Sequence, residues 1–457
     1  MLDIKELAQK GAEKVLLECL ALKNGEALAV FFDEGTSEPA HLLISVAERL
    51  GLDLCVRQVA NAVQESFAVS EAQELCDEDQ EAMQNARGIV TCLSASQRGT
   101  PYRAKLLQFG TTDGKRLGHM PGLDLSILAN AVNIDYTAAN TRCENLALAL
   151  TLGNTASLET YELRRDGTKI SHQLQIPLGG MRRFPITSTG VVPLGTWGNV
   201  PGGETFIAPI ENLAEGSFVL SGSFHRFVLT PPDSLILLFE KGRVVEVEGA
   251  GASRQNFDQL LAEGHALDPT NYLALAELGI GVNPGISCLS GAMLLDEKCD
   301  GTAHIALGDS ARYGGTIRSS IHEDLVTRLP SLWIDRRPIL EHGRDAFREA
   351  DWRERLEHVE PAAVAMDTHI RRTAANVEIS REHALRVRRV VAAGRQCTYT
   401  VGDPECTRVL AAIYNLLPFT PNTCTVSALS SAAAQLGIPA QSFFSALTVL
   451  RRHELIK

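Results

Sequence analysis

The residues best suited to chemistry lie in Ser319-Ser320-Ile321-His322-Glu323-Asp324-Leu325. On a strand, His322 and Asp324 are two apart and project from one face. An imidazole and a carboxylate so placed can bind one metal ion together. Three further ionisable groups interrupt apolar or Gly-rich runs. His304 lies within Gly301-Thr302-Ala303-His304-Ile305-Ala306-Leu307-Gly308, and Glu277 within Leu273-Ala274-Leu275-Ala276-Glu277-Leu278-Gly279-Ile280. Glu204 follows Val200-Pro201-Gly202-Gly203. Each has a bland alternative: a hydrogen-bonded core histidine, a neutralised or paired carboxyl group, a surface strand. Together, two His and three carboxylates are enough for a dinuclear Zn²⁺, Co²⁺ or Mn²⁺ site with a carboxylate bridging ions ~3.5–4 Å apart.

Other chemistry has weaker support. Asp296-Glu297-Lys298 reads as a charged turn first and as a general base or a support for the site second. Gly179-Gly180-Met181-Arg182-Arg183 reads as an exposed loop, with a guanidinium for a substrate carboxylate as the alternative. His225, in Ser223-Phe224-His225-Arg226-Phe227, is expected on a strand with a structural role. No Gly-x-Ser-x-Gly elbow offers a serine nucleophile. The ten cysteines are scattered without Cys-x-x-Cys spacing, and several sit in apolar runs, so reduced buried thiols are expected.

The elements that must position these groups change along the chain. Residues 4–22 carry helical spacing, and Ala27–Phe32 reads as a buried strand. A helix over 38–50, a strand over 52–56, a helix near 70–86 and a strand over 88–92 continue a βαβ alternation. Such alternation implies a doubly wound parallel sheet over residues 1–145. Phe31-Phe32-Asp33-Glu34-Gly35-Thr36 is not a dinucleotide fingerprint. From 146 to 345, frequent Gly and Pro and short runs at 216–228, 234–240 and 242–247 predict a β-rich α+β metal-binding domain, with a helix near 254–264. Residues 346–457 are expected to be helical. Runs at 344–358 and 380–393 mix Arg with Glu, and helices at 404–416, 425–436 and 439–453 outline a small winged-helix-like appendage.

The composition excludes several classes. The chain has 457 residues, 45% of them hydrophobic and 21% charged, enough for a sizeable core. A net charge of −12 argues against a nucleic-acid partner, which needs clustered Lys and Arg. No apolar run approaches the ~18 residues of a membrane-spanning helix, so no membrane association is expected. The first residues lack a basic and then apolar leader, so a cytoplasmic location is expected.

The segments Pro201-Gly202-Gly203-Glu204, Ala276-Glu277-Leu278-Gly279, Gly301–Gly308 and His322-Glu323-Asp324 resemble, in this order, the thermophilic metalloproteases, the two-metal aminopeptidases of the aminopeptidase T and aminopeptidase S type. The likeness runs over most of residues 10–345, including Lys23-Asn24-Gly25-Glu26 and Met120-Pro121-Gly122. It implies that Glu204, Glu277, His304, His322 and Asp324 hold two divalent ions (Zn, Co or Mn). It also implies a functional Tyr, for which Tyr313 is the nearest candidate, and a homodimer acting on a small peptide-like substrate. Where the family often places an acidic neighbour beside the first Glu, this chain has Gly203. The expected activity is removal of an N-terminal amino acid or amide by a metal-bound water, with Glu204 and Tyr313 taking part. A second resemblance is to the 2,5-dihydroxypyridine ring-cleaving dioxygenases, which share this fold and hold one Fe(II). In that alternative His304, His322 and Asp324 form the iron triad. A third is a family member recruited to a specialised biosynthetic step.

Overall fold

The computed structural model describes residues 3–352 apart from 61–62, 66–67, 71–74, 95–100, 111–114, 180–182, 184 and 193–194, and five short strands between 369 and 425. Residues up to Glu349 form one compact unit and those from Ala350 a second.

The first unit begins with the alternation its sequence predicts. Ile4–Lys14 is a helix with Asp3 as its N-cap, continued by a wider turn over Val15–Cys19. Ala27–Phe32, Asp53–Gln58, Gly88–Cys92, Arg116–His119 and Thr196–Asn199 make a parallel sheet. Across the sheet they run Thr196–Asn199, Arg116–His119, Gly88–Cys92, Ala27–Phe32, Asp53–Gln58. Alternate residues of Ala27–Phe32 serve opposite faces. Leu28, Val30 and Phe32 pack under the first two helices, and Ala29 and Phe31 pack against the Asp77–Asn85 and Pro101–Gly110 side. Apolar material on both faces is what a buried parallel sheet requires.

Two antiparallel sheets follow. One has eight strands, centred on the Thr155–Leu163 and Lys169–Pro177 hairpin, whose pairs run from Thr155 opposite Pro177 to Leu163 opposite Lys169. The other has seven. Its middle runs His322–Arg328, Thr302–Gly308, Leu275–Gly281, Glu204–Ile207. The helix expected near 254–264 is Gly251–Leu267. A helix the sequence reading passed over, Tyr136–Leu152, is started by Asp135, whose carboxylate accepts from the Thr137 and Ala138 amides. Among the described residues no helix is long and apolar enough to cross a membrane.

Some expectations need correcting. His225 is not in a strand: it has φ 52° in the turn between Ser223–Phe224 and Phe227–Val228. Of the helix expected over 344–358, Arg344–Asp345 is instead an edge strand, residues 349–352 are helical, and 353–358 lie outside the described residues. The run at 380–393 contains the strand Leu385–Val391, paired with Val377–Ile379 and Arg395–Val401. Its Leu-Arg-Val-Arg-Arg-Val-Val sequence is rich in β-branched residues, which outweighs the charge pattern that suggested a helix. Cys424–Thr425 is a strand paired with His369–Ile370. Thr425, the first residue of the helix expected at 425–436, is therefore in a strand; the rest of that helix and those expected at 404–416 and 439–453 lie outside the described residues.

Candidate metal centre

The five ligand-type residues lie on four neighbouring strands of the seven-stranded sheet. Each faces a residue with little or no side chain. Glu204 is opposite Gly281, His304 opposite Gly279, His322 opposite Gly308, and Glu277 and Asp324 are both paired to Ala306. Small partners leave a hollow over the sheet into which long polar side chains can turn. At Gly279 the fit is tightest, since a Cβ there would lie 2.1 Å from His304 Nε2.

Glu277 is the hub. Its Oε1 lies 3.2 Å from His304 Nε2 and its Oε2 lies 3.4 Å from His322 Nε2. Asp324 Oδ1 is 3.5 Å from the same His322 nitrogen. Glu277, His322 and Asp324 each offer a donor atom within 4.8 Å of the others. The His322 Nδ1 is 2.8 Å from the Asp309 carbonyl, which holds the proton on Nδ1 and turns the Nε2 lone pair toward the carboxylates. This donor set fits a divalent cation. His304 stands beside it, fully buried, with its Nδ1 unpartnered. Glu204 Oε2 is 3.9 Å from His304 Nε2, and its Oε1 is 2.8 Å from Lys298 Nζ.

The electrostatics follow from this crowding. Burial works against an imidazolium at His304, but the hydrogen bond to Glu277 and the charges of Glu277, Asp324 and Glu204 overcome it and push the group up to about 9. His322 is likewise raised: burial opposes, and Tyr313, Asp324 and Glu277 prevail. Three carboxylates thus draw protons onto two histidines, as they would draw a metal ion. Burial, then the Glu204 charge, raises the Glu297 carboxyl against the opposing pull of Lys298. Lys298 keeps its proton because Glu204 and Glu297 outweigh its desolvation.

Tyr313 belongs to the site's rim. It ends the short Ala311–Tyr313 turn, its ring centroid is 4.9 Å from that of His322, and Phe206 meets it edge-on at 5.3 Å. Burial pushes its hydroxyl up to about 12, so it stays a proton donor. His322 and Tyr313 are half-buried whereas Glu204, Glu277 and His304 are buried, so the centre opens on the Tyr313 side.

Two features escaped the sequence reading. Asp296-Glu297-Lys298 is not a surface turn: Asp296 and Lys298 are fully buried, and Asp296 accepts from the Ser290 and Gly291 amides. Arg183 is not an exposed loop arginine: it is ion-paired with Glu211 and donates to the Gly314 carbonyl. Glu211 also accepts from the Thr316 amide at 2.6 Å, so this clasp braces the turn that carries Tyr313. The only advance signal at Lys298 was charge beside an apolar strand. Among the described cysteines, burial pushes Cys19 up to about 12, and Cys143 and Cys299 up to about 11, so these stay thiols.

Two solved enzymes have a similar fold. The 2,5-dihydroxypyridine dioxygenase of Pseudomonas putida KT2440 superposes with a TM-score of 0.58 at 16% identity, over 76% of this chain and 99% of its own. Wild-type AmpT, aminopeptidase T, of Thermus thermophilus superposes with a TM-score of 0.51 at 16% identity, over 75% of this chain and 100% of its own. The chain therefore has the fold of these enzymes, to which its sequence pattern pointed. No family model matches it, and no curated protein matches it by sequence.

Proposed function

We propose that the protein is a metal-dependent hydrolase of the aminopeptidase kind, acting on the N-terminal residue of a small peptide-like substrate. The observation that carries this reading is the convergence of Glu277, His322 and Asp324, with the His322 tautomer fixed by the Asp309 carbonyl. Two carboxylates and one imidazole suit Zn²⁺, Mn²⁺ or Co²⁺, whereas the oxygen-activating Fe(II) triad takes two imidazoles and one carboxylate. Glu277, His322 and Asp324 would hold a divalent ion, which would supply Lewis acidity and a nucleophilic water at neutral pH.

The chain's own groups supply the rest. Glu297, whose carboxyl is raised by burial and by the Glu204 charge, is held against Lys298 beside the centre and is the candidate to pass a proton to a leaving amine. Tyr313, at the open side and still protonated, is placed to donate a hydrogen bond to the oxyanion that forms from the scissile carbonyl.

The test is hydrolysis of a panel of aminoacyl amides by protein purified without chelators. Asp324→Asn is expected to lower kcat/KM at least ~10³-fold and to abolish metal retention. Oxygen consumption on a dihydroxylated aromatic substrate with one equivalent of iron would replace this reading with the dioxygenase one.

A further inference from the structure

We infer that Lys298 is a built-in cation occupying the place of a second metal ion, so that the centre takes one divalent ion, at Glu277, His322 and Asp324. The inference rests on the hydrolytic metal reading above and departs from the two-ion site that the sequence resemblance implies.

The placement of Lys298 is backbone-determined. Its amide donates to the Leu295 carbonyl at 2.9 Å, and its own carbonyl accepts from the Asn283 amide at 2.9 Å. A Cβ on Gly281 would lie 2.7 Å from the Lys298 carbonyl carbon and 2.3 Å from the Cys299 oxygen, so the turn lies directly on the sheet there. Gly281 is the register partner of Glu204. Lys298 therefore enters the hollow at the strand position where Glu204 does.

Asn283 locks the two together. Besides the Lys298 carbonyl, it binds the loop that delivers Glu204, donating from Nδ2 to the Gly202 carbonyl at 2.6 Å and to the Ala131 carbonyl at 3.0 Å. At Gly203, with φ 115°, a Cβ would stand 2.6 Å from the Asn283 Cβ. An acidic residue at position 203 is thus incompatible with this lock.

The consequence is a charge already in place. The ammonium is fully buried, 2.8 Å from Glu204 and in direct contact with Glu297. A second divalent ion bridging Glu204 and His304 would share one Glu204 carboxylate with that ammonium, cation against cation in a dry site. Glu204 is instead neutralised by the chain, and the divalent ion has its own three donors.

Metal analysis after equilibrium dialysis against Zn²⁺, and separately Co²⁺, tests this on the full chain. Wild-type protein is expected to hold one equivalent, Glu204→Gln to keep one, and Lys298→Met to rise to two. Two equivalents in the wild type, or loss of the metal in Glu204→Gln, would overturn the role of Lys298 and leave the hydrolase reading standing. No tight metal in the wild type would overturn both. If Lys298→Met does not fold, the wild-type and Glu204→Gln counts decide the matter.

Discussion

The parallel sheet and the seven-stranded antiparallel sheet both bury carboxylates and imidazoles, but they surround them differently. In the parallel sheet the buried ones among the described residues meet donors. Asp33, fully buried beyond the Ala27–Phe32 strand, accepts from the Ser94 amide at 2.8 Å and hydroxyl at 2.6 Å. Asp79 accepts from Arg57 at 2.9 Å and from the Tyr102 hydroxyl at 3.1 Å. His119 lies between the Thr91 hydroxyl and the Arg103 guanidinium, at 2.8 and 2.9 Å. In the antiparallel sheet, Glu277, Asp324 and Glu204 gather around two imidazoles and hold protons on them, and Lys298 pairs with Glu204. Buried charge is therefore no guide to a site. Carboxylates crowded onto imidazoles, rather than onto neutral donors, are the better mark, because the same cluster that holds protons suits a metal cation.

Three experiments would break or sharpen this contrast. The largest effect is expected from Gly279→Ala, which sets a methyl group where the His304 ring lies and displaces it from Glu277. Hydrolysis should fall ~10²-fold, as misplacements near 1 Å do, while circular dichroism stays that of the wild type. Undiminished turnover would mean that His304 has no part in the centre. Next, Asp33→Ala strands the Ser94 donors and should cost about 1–3 kcal/mol in urea unfolding, with metal content unchanged. Loss of metal in this variant would show that the two sheets do not act separately.

The smallest effect concerns pH. Burial, and then Arg103, holds His119 well below its usual value, so the folded protein keeps it neutral. The unfolded chain takes up that proton below about pH 6.5, so stability is lost as the pH falls from there toward the folded value. The loss is at most ~1.4 kcal/mol per pH unit. His119→Gln should flatten the melting temperature between pH 7 and 5 relative to wild type. An identical slope would show that other groups carry the acid sensitivity.

Much of this contrast was written in the sequence, for identifiable reasons. Ala27–Phe32 and Gly88–Cys92 are continuous apolar runs, and only a strand covered on both faces tolerates those. The ligand-type residues stand out because Gly and Ala alternate beside them, as in Glu277-Leu278-Gly279-Ile280-Gly281. The hairpin Thr155–Leu163 with Lys169–Pro177 was hidden by its many polar residues, although Asp166-Gly167 at its tip is a turn signal. Lys298 was the least legible. Its role comes from packing over Gly281 and a bond to Asn283, contacts between segments that no local pattern records. Residues 380–393 misled because alternating Arg and Val satisfies a helical charge pattern as well as a strand.

The parallel sheet is finished by Thr196–Asn199, which pairs with Arg116–His119, and the chain reaches Glu204 only five positions after Asn199. The two halves are thus stitched rather than strung. A fragment ending near residue 145 would bare the Arg116–His119 edge, open to pairing with another copy. A fragment beginning there would carry the centre with an orphan strand ahead of its first carboxylate. In lineages that reuse this architecture, the two sheets are expected to travel as one piece, with novelty added at the ends.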